Sequence, residues 1–237
     1  METIILAGGL GSRLKDITAT LPKPMAPVGS RPFLELLLDY LVSQGVCRVI
    51  LSVGYKHEKI LSYFGDRYKH CELVYSIETE LLGTGGAIKY ALNLAQSEYV
   101  FIMNGDTIFQ ISLSQMMSFH YDRQSDLTLA LKPMNNFDRY GNVILSDTKI
   151  VKFEEKKFKS HGNINGGIYL LNKNLFDCFF LPNKFSFESE FMEVNCNKIK
   201  MHGFISNEYF IDIGIPKDYA RIQLDFNNGI FSIVSNK

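Results

Sequence analysis

The run Leu6-Ala7-Gly8-Gly9-Leu10-Gly11-Ser12-Arg13-Leu14, with Lys23-Pro24 shortly after it, concentrates the residue types that bind polyphosphate. Three glycines let backbone N–H groups approach an anion without Cβ obstruction. Ser12 adds a hydroxyl, and Arg13 and Lys23 add fixed positive charge. The loop is not a P-loop, because Gly-Lys-Ser/Thr is missing from its end. Nor is it a dinucleotide fingerprint: Leu14 stands where the third glycine belongs, and Pro22 and Pro24 stop a long helix from starting behind it.

Two acids come next. Asp106 in Asn104-Gly105-Asp106 follows the strand-like run Tyr99–Met103, so its carboxylate is expected at a strand end. Asp212 lies in Phe210-Ile211-Asp212-Ile213-Gly214, where an acid between isoleucines is costly unless paired or metal-bound. Mg²⁺ takes one or two carboxylates together with phosphate oxygens and water, which suits such a pair. A loop-capping Asp106 and a solvated strand-end Asp212 is the competing reading. Gly83-Thr84-Gly85-Gly86 precedes a helix, where amides accept an anion or a carbonyl, or simply begin the helix. Glu78, just upstream, offers two acceptors side by side, matching the adjacent N–H donors of guanine. Its alternative is an exposed strand-end charge.

Glu154-Glu155-Lys156-Lys157 fits a charged hairpin edge, whereas Asn165-Gly166-Gly167 puts two glycines inside a strand-like run, as if something approached the backbone closely. A sugar ring would fit there. His57, His70, His120, His161 and His202 form no metal-spaced or triad-like cluster and are expected at the surface or at caps.

The elements that must position these residues alternate. Strands are predicted over Thr3–Ala7, Arg48–Val53, Leu73–Ile77 and Tyr99–Met103, and helices over Phe33–Gln44, His57–Phe64 and Gly86–Ala95. Such alternation implies parallel pairing and right-handed crossovers, hence a three-layer, doubly wound, mostly parallel α/β sheet with ligands at the carboxyl ends of its strands. The second half changes to strand-like segments at Leu127–Lys132, Asn142–Leu145, Ile150–Phe153 and Ile164–Leu171, expected as extra antiparallel strands forming a lid. No linker-like composition or repeat divides residues 1–237, so one domain is expected.

Composition narrows the partners. Lys plus Arg and Asp plus Glu both number 25, so no general attraction to nucleic acid or an anionic membrane follows, and any anion site must be local. Cys47, Cys71, Cys178 and Cys196 lack paired spacing and are expected to be reduced core thiols. Without a signal-like start or a long apolar run, a cytoplasmic location is expected. A homo-oligomer stays open.

Leu6–Leu14 with Lys23-Pro24, Leu82-Gly83-Thr84-Gly85-Gly86, Asn104-Gly105-Asp106, Glu155-Lys156, Asn165-Gly166-Gly167-Ile168-Tyr169 and Asp212-Ile213-Gly214-Ile215-Pro216 together resemble the sugar-1-phosphate nucleotidyltransferases, in the family's order. Within that family the chain is most similar to the enzymes that guanylylate D-glycero-α-D-manno-heptose 1-phosphate for bacterial surface polysaccharides. The resemblance implies attack of a sugar phosphate on the α-phosphorus of GTP, with pyrophosphate leaving and Mg²⁺ as cofactor. It assigns Arg13 and Lys23 to catalysis, and Leu6, Ala7, Gly8, Gly9, Gly11, Ser12, Glu78, Gly83, Thr84 and Asp106 to the nucleotide. Gly105, Gly141, Glu155, Lys156, Asn165 and Gly167 fall to the sugar phosphate, and Asp106 and Asp212 to the metal, which implies a nucleotide-binding half over about 1–110 and a sugar-binding half over about 111–237. Ser12 replaces the usual Thr and Lys157 a common Pro, which loosens the transfer at the lid turn. With about 25 residues after Asp212, a stand-alone transferase is expected. The alternatives are a mannose-, glucose- or muramate-1-phosphate enzyme using GTP, dTTP or UTP, and an inactive nucleotide-sugar-binding regulator.

Overall fold

The first strand, β1 (Glu2–Leu6), lies at the centre of the parallel part of a ten-stranded sheet and is buried on both faces. This computed structural model describes residues 1–9 and 20–230. β1 is flanked in parallel by β4 (Arg48–Val53) and β7 (Tyr99–Asn104). Short hairpin strands β2 (Pro27–Val28) and β3 (Arg31–Pro32) lead into helix α1 (Phe33–Ser43). Helix α2 (His57–Phe64) and the edge strand β5 (Arg67–Tyr68) precede β6 (Cys71–Ile77), which pairs in parallel with β4. Helix α3 (Gly83–Leu92) connects to β7.

Alternation along these strands builds two cores. Ile5, Leu51, Phe101 and Met103 face α1 and α2, whereas Ile4, Ile50, Val100 and Ile102 face α3. Three layers result because period-two strands present apolar residues to both sides and each side needs helical cover.

Beyond β7 the sheet is mixed rather than mostly parallel. β8 (Thr107–Phe109) leaves the main sheet, helix α4 (Leu113–Asp122) follows, and β9 (Leu127–Phe137) returns to it. β10 (Asn142–Ser146) and β11 (Lys149–Glu154) form a hairpin, and the 14-residue β12 (Lys159–Asn172) pairs antiparallel with both β7 and β9. β13 (Met201–Ile205) lies parallel to β9. The predominance of parallel pairing expected from the first half therefore stops at β7. β12 closes that edge without the crossover helix a parallel neighbour requires. β14 (Phe210–Asp212) pairs with β8 in a separate two-stranded ribbon, and α5 (Pro216–Asn227) begins with proline in its first turn.

Several local expectations need correction. α3 begins three residues before Gly86 and ends before Ala95. Cys71 and Cys196 are buried and Cys47 and Cys178 exposed, all as free thiols, so only half are core residues. His120 is neither at the surface nor a cap: it is buried on α4, bonded to the Thr128 hydroxyl and packed edge-on against Tyr99. No described helix is long and apolar enough to cross a membrane.

Candidate active site

Two chambers open at the carboxyl ends of β1, β6 and β7 and share one wall. The smaller, about 520 Å³, is lined by Leu6, Ala7, Gly8, Gly9, Lys23, Glu78, Gly83, Thr84, Gly105 and Asp106. The larger, about 860 Å³, is lined by Asp106, Gly141, Glu155, Lys156, Asn165, Gly167 and Asp212. Both volumes fall within the roughly 300–1,000 Å³ of small-molecule sites. Asn104, Asp106, Lys156 and Glu188 belong to both chambers, so a molecule in each would meet at these four residues. Every described residue expected to bind nucleotide or sugar phosphate thus lines one chamber or both, although Gly105, expected at the sugar phosphate, lines only the smaller one. Gly11, Ser12 and Arg13 lie outside the described residues.

The acids are placed by the small ribbon. Asp106 sits in the turn from β7 to β8, and Asp212 ends β14 opposite Thr107. The Ile213 amide donates to the Asp106 carbonyl at 2.9 Å, tying the two turns together. Lys23, 8% exposed in a 3₁₀ turn, makes an ion pair with Asp106. Asp212 Oδ1 accepts from the Gly214 amide at 2.6 Å; Oδ2 faces the Tyr140 hydroxyl at 3.4 Å and Arg139 at 3.7 Å. Burial, followed by the negative charge of Asp106, pushes the Asp212 carboxyl above the usual range. Two hard oxygen ligands facing one chamber and repelling each other fit a divalent cation, which would relieve that repulsion. Among the described residues no group of three or more His, Cys, Asp and Glu is arranged to hold a metal, so protein ligands there would come from this pair.

Glu78 is half-buried rather than an exposed strand-end charge. It accepts from the Ser52 hydroxyl at 3.0 Å and the Leu82 amide at 3.5 Å, and burial raises its pKa. A carboxylate has about four acceptor positions, so two protein donors leave acceptors for a ligand.

The glycine-rich turns owe much of their composition to protein packing. Phe185 O takes the Gly85 and Gly86 amides at 2.9 and 3.3 Å, so the start of α3 accepts a carbonyl there rather than an anion. A Cβ on Gly86 would stand 2.1 Å from the Asn183 carbonyl oxygen. Gly167 adopts φ +72° at a register shift in the β12–β9 ladder, and a Cβ there would meet the Asn104 side chain at 2.7 Å. The close approach expected at Gly166-Gly167 is made by Phe109 and Asn104; a sugar is not needed to explain it.

Glu188 is the principal residue that sequence reasoning missed. It lies in a π-helical segment, Phe187–Met192, and accepts from Thr84, Tyr169 and Ser186. Arg139 and Tyr140 were also missed, although Tyr140 adjoins Gly141 in the sequence. Glu188 is one of three glutamates in residues 185–193, and nothing in their spacing singles it out; the π-helical turn that aims it appears only after folding.

Comparisons agree with this architecture. The nucleotidyl transferase family model matches residues 2–229. The chain is 53% identical to a D-glycero-alpha-D-manno-heptose 1-phosphate guanylyltransferase of Aneurinibacillus thermoaerophilus, covering 97% of this chain and 100% of that protein. It is 51% identical to the protein so described in Campylobacter jejuni, covering 92% and 97% respectively. Among solved structures, HddC from Yersinia pseudotuberculosis complexed with GMP-PN superposes with a TM-score of 0.84 at 37% identity, covering 95% of this chain and 99% of that one. The chain belongs to the nucleotidyl transferase family.

Proposed function

We propose that the protein transfers GMP from GTP to D-glycero-α-D-manno-heptose 1-phosphate, producing GDP-heptose and pyrophosphate. The observation that carries this reading is the pair of chambers meeting at Asp106 and Lys156, on a chain 53% identical over 97% of its length to a heptose 1-phosphate guanylyltransferase. A sugar-phosphate oxygen attacks the α-phosphorus, the bond to the bridging oxygen of the β-phosphate breaks, and pyrophosphate carries away that electron pair. Catalysis of this kind consists of positioning and of offsetting charge on the reacting oxygens.

In this scheme the first chamber holds GTP, with Gly8 and Gly9 against the nucleotide and Glu78 accepting from guanine. Arg13 holds the departing pyrophosphate and Lys23 the phosphates at the reacting centre. Lys156, at the junction, draws the sugar phosphate toward the α-phosphorus, while Glu155, Gly141 and Asn165 line the sugar. The β10–β11 hairpin and the Glu155–Lys156 loop act as the lid. Asp106 and Asp212 would hold Mg²⁺, which when bound offsets negative charge on the phosphates. The nucleotide half and sugar half function as one catalytic unit, in the cytoplasm.

The test is a matrix of GTP, dTTP, UTP and ATP against heptose 1-phosphate and mannose 1-phosphate, followed by pyrophosphate release. GTP with the heptose phosphate is expected to give the highest kcat/KM. A higher value for any other pair overturns the assignment, and release independent of sugar phosphate overturns the transferase reading.

A further inference from the structure

We infer that Glu188 is a positioning residue that couples the two substrate chambers, an inference that rests on the guanylyltransferase reading. A continuous hydrogen-bond relay runs through it. Thr84, on the nucleotide side, donates its hydroxyl to Glu188 Oε2 at 2.5 Å. Tyr169, on the sugar side, donates to Oε1 at 3.3 Å. Asn165 Nδ2 donates to the Tyr169 oxygen at 2.9 Å, and Asn165 Oδ1 accepts from the Gly167 amide at 3.0 Å. The direction of each bond follows from the donors available. The carboxylate only accepts, so both hydroxyls must point at it, which leaves the Tyr169 oxygen to receive the amide of Asn165.

The relay is held at both ends. The Thr84 oxygen also accepts from the Phe187 amide at 2.9 Å, and Phe185 exchanges backbone hydrogen bonds with Leu82, Gly85 and Gly86, so the segment bearing Glu188 is fastened to the turn that lines the nucleotide chamber. Tyr169 is 1% exposed and packs edge-on against Phe187, so its hydroxyl cannot turn to water in exchange for Glu188. Because the relay has no slack, a sugar phosphate that draws on Asn165 shifts Tyr169, Glu188 and Thr84 in turn, and the turn that GTP meets depends on whether the sugar chamber is filled. Coupling of this kind works in both directions.

The experiment is calorimetric titration with a non-hydrolysable GTP analogue, with and without saturating heptose 1-phosphate, in wild type, Tyr169→Phe, Glu188→Gln and Ser186→Ala. Thermal melts establish folding of each variant. In wild type the sugar phosphate should tighten analogue binding about tenfold, within the range typical of coupled sites. In Tyr169→Phe, which lies outside the nucleotide chamber, and in Glu188→Gln, the ratio should fall to within about twofold of unity. Ser186→Ala removes another donor to Glu188 that lines neither chamber, and should keep the wild-type ratio. Retention of the full ratio in both relay variants, a wild-type ratio of one, or equal collapse in Ser186→Ala overturns the inference. Failure of wild type to bind the analogue overturns the guanylyltransferase reading, and the relay with it.

Discussion

At the scale of single residues, the selective groups act through charge held away from water. In the proposed base-reading role Glu78 must be ionised to accept from two guanine donors, yet burial raises its pKa, and guanine binding would pull it back down by favouring the charged form. Affinity for GTP is therefore full above the raised pKa and falls as the pH drops through it. The expected result is a rise in KM for GTP on the acid side in wild type. Glu78→Gln should lose that limb while weakening discrimination of GTP over UTP by ~1–3 kcal/mol, since a buried donor loses its partner. Unchanged selectivity, measured as the ratio of kcat/KM values, would remove Glu78 from base recognition. The acid pair gives a second expectation. If Asp106 and Asp212 hold Mg²⁺ as proposed, Asp106→Asn and Asp212→Asn each keep the side-chain size but remove a hard anionic ligand, and each should lower pyrophosphate release by about 10³-fold, the scale of several kcal/mol that a bound metal contributes. Added Mg²⁺ should recover part of the rate in the single variants and none in the double variant.

Elements explain what the sequence could and could not disclose. Strands β1, β4 and β7 were legible because continuous apolar runs covered on both faces leave a signal that needs no partner to interpret, and β6, whose burial alternates along Cys71–Ile77, was legible from its β-branched and aromatic residues. α1 was legible from its apolar spacing, with Pro32 before it. α4 was not, because its buried face is Leu113, Met116 and His120, and a histidine counted as polar interrupts the stripe. α5 fully buries only Ile222, with the half-buried Tyr219 and Phe226 three and four residues away packed against the same core, so its apolar stripe is narrow though periodic. The ribbon of β8 and β14 escaped for a different reason: its partners are about a hundred residues apart, and only pairing makes Asp106 and Asp212 neighbours. His120 then supplies a test of how α4 is docked. Burial holds its pKa down at about 4, with Asp126 opposing and His202 adding to the shift, while an unfolded histidine titrates near ~6.5. The unfolded chain binds the extra proton between those values, so this contribution to stability is complete above pH ~6.5 and is lost as the pH falls toward 4. Denaturant unfolding should show about 2–3 kcal/mol of pH-dependent loss across that window from this group. His120→Leu should flatten that part of the profile, and an unchanged slope would mean that the histidine is solvated.

For the whole molecule, the arrangement of chambers decides between two kinetic mechanisms. A nucleotidyl-enzyme intermediate would need a nucleophile facing the α-phosphorus, and a lysine amine is one side chain able to form it. Lys23 is the lysine in the nucleotide chamber among the described residues apart from Lys156, and it is committed to an ion pair with Asp106. Lys156 stands at the junction, where a sugar phosphate needs a cation. Because the chambers are joined rather than alternative, both substrates can be present at once and direct displacement needs no storage of the GMP group. Initial-rate plots should therefore intersect, and labelled pyrophosphate should not exchange into GTP unless sugar phosphate or the nucleotide sugar is present. Exchange with enzyme, GTP, Mg²⁺ and pyrophosphate alone, at a rate comparable to turnover, would require a covalent intermediate and return Lys23 or Lys156 to the role of nucleophile. If Arg13 holds the departing pyrophosphate as proposed, changing it to Ala should lower the forward rate, but the intersecting pattern should remain. The kinetic order thus tests the joined geometry separately from the strength of any one contact.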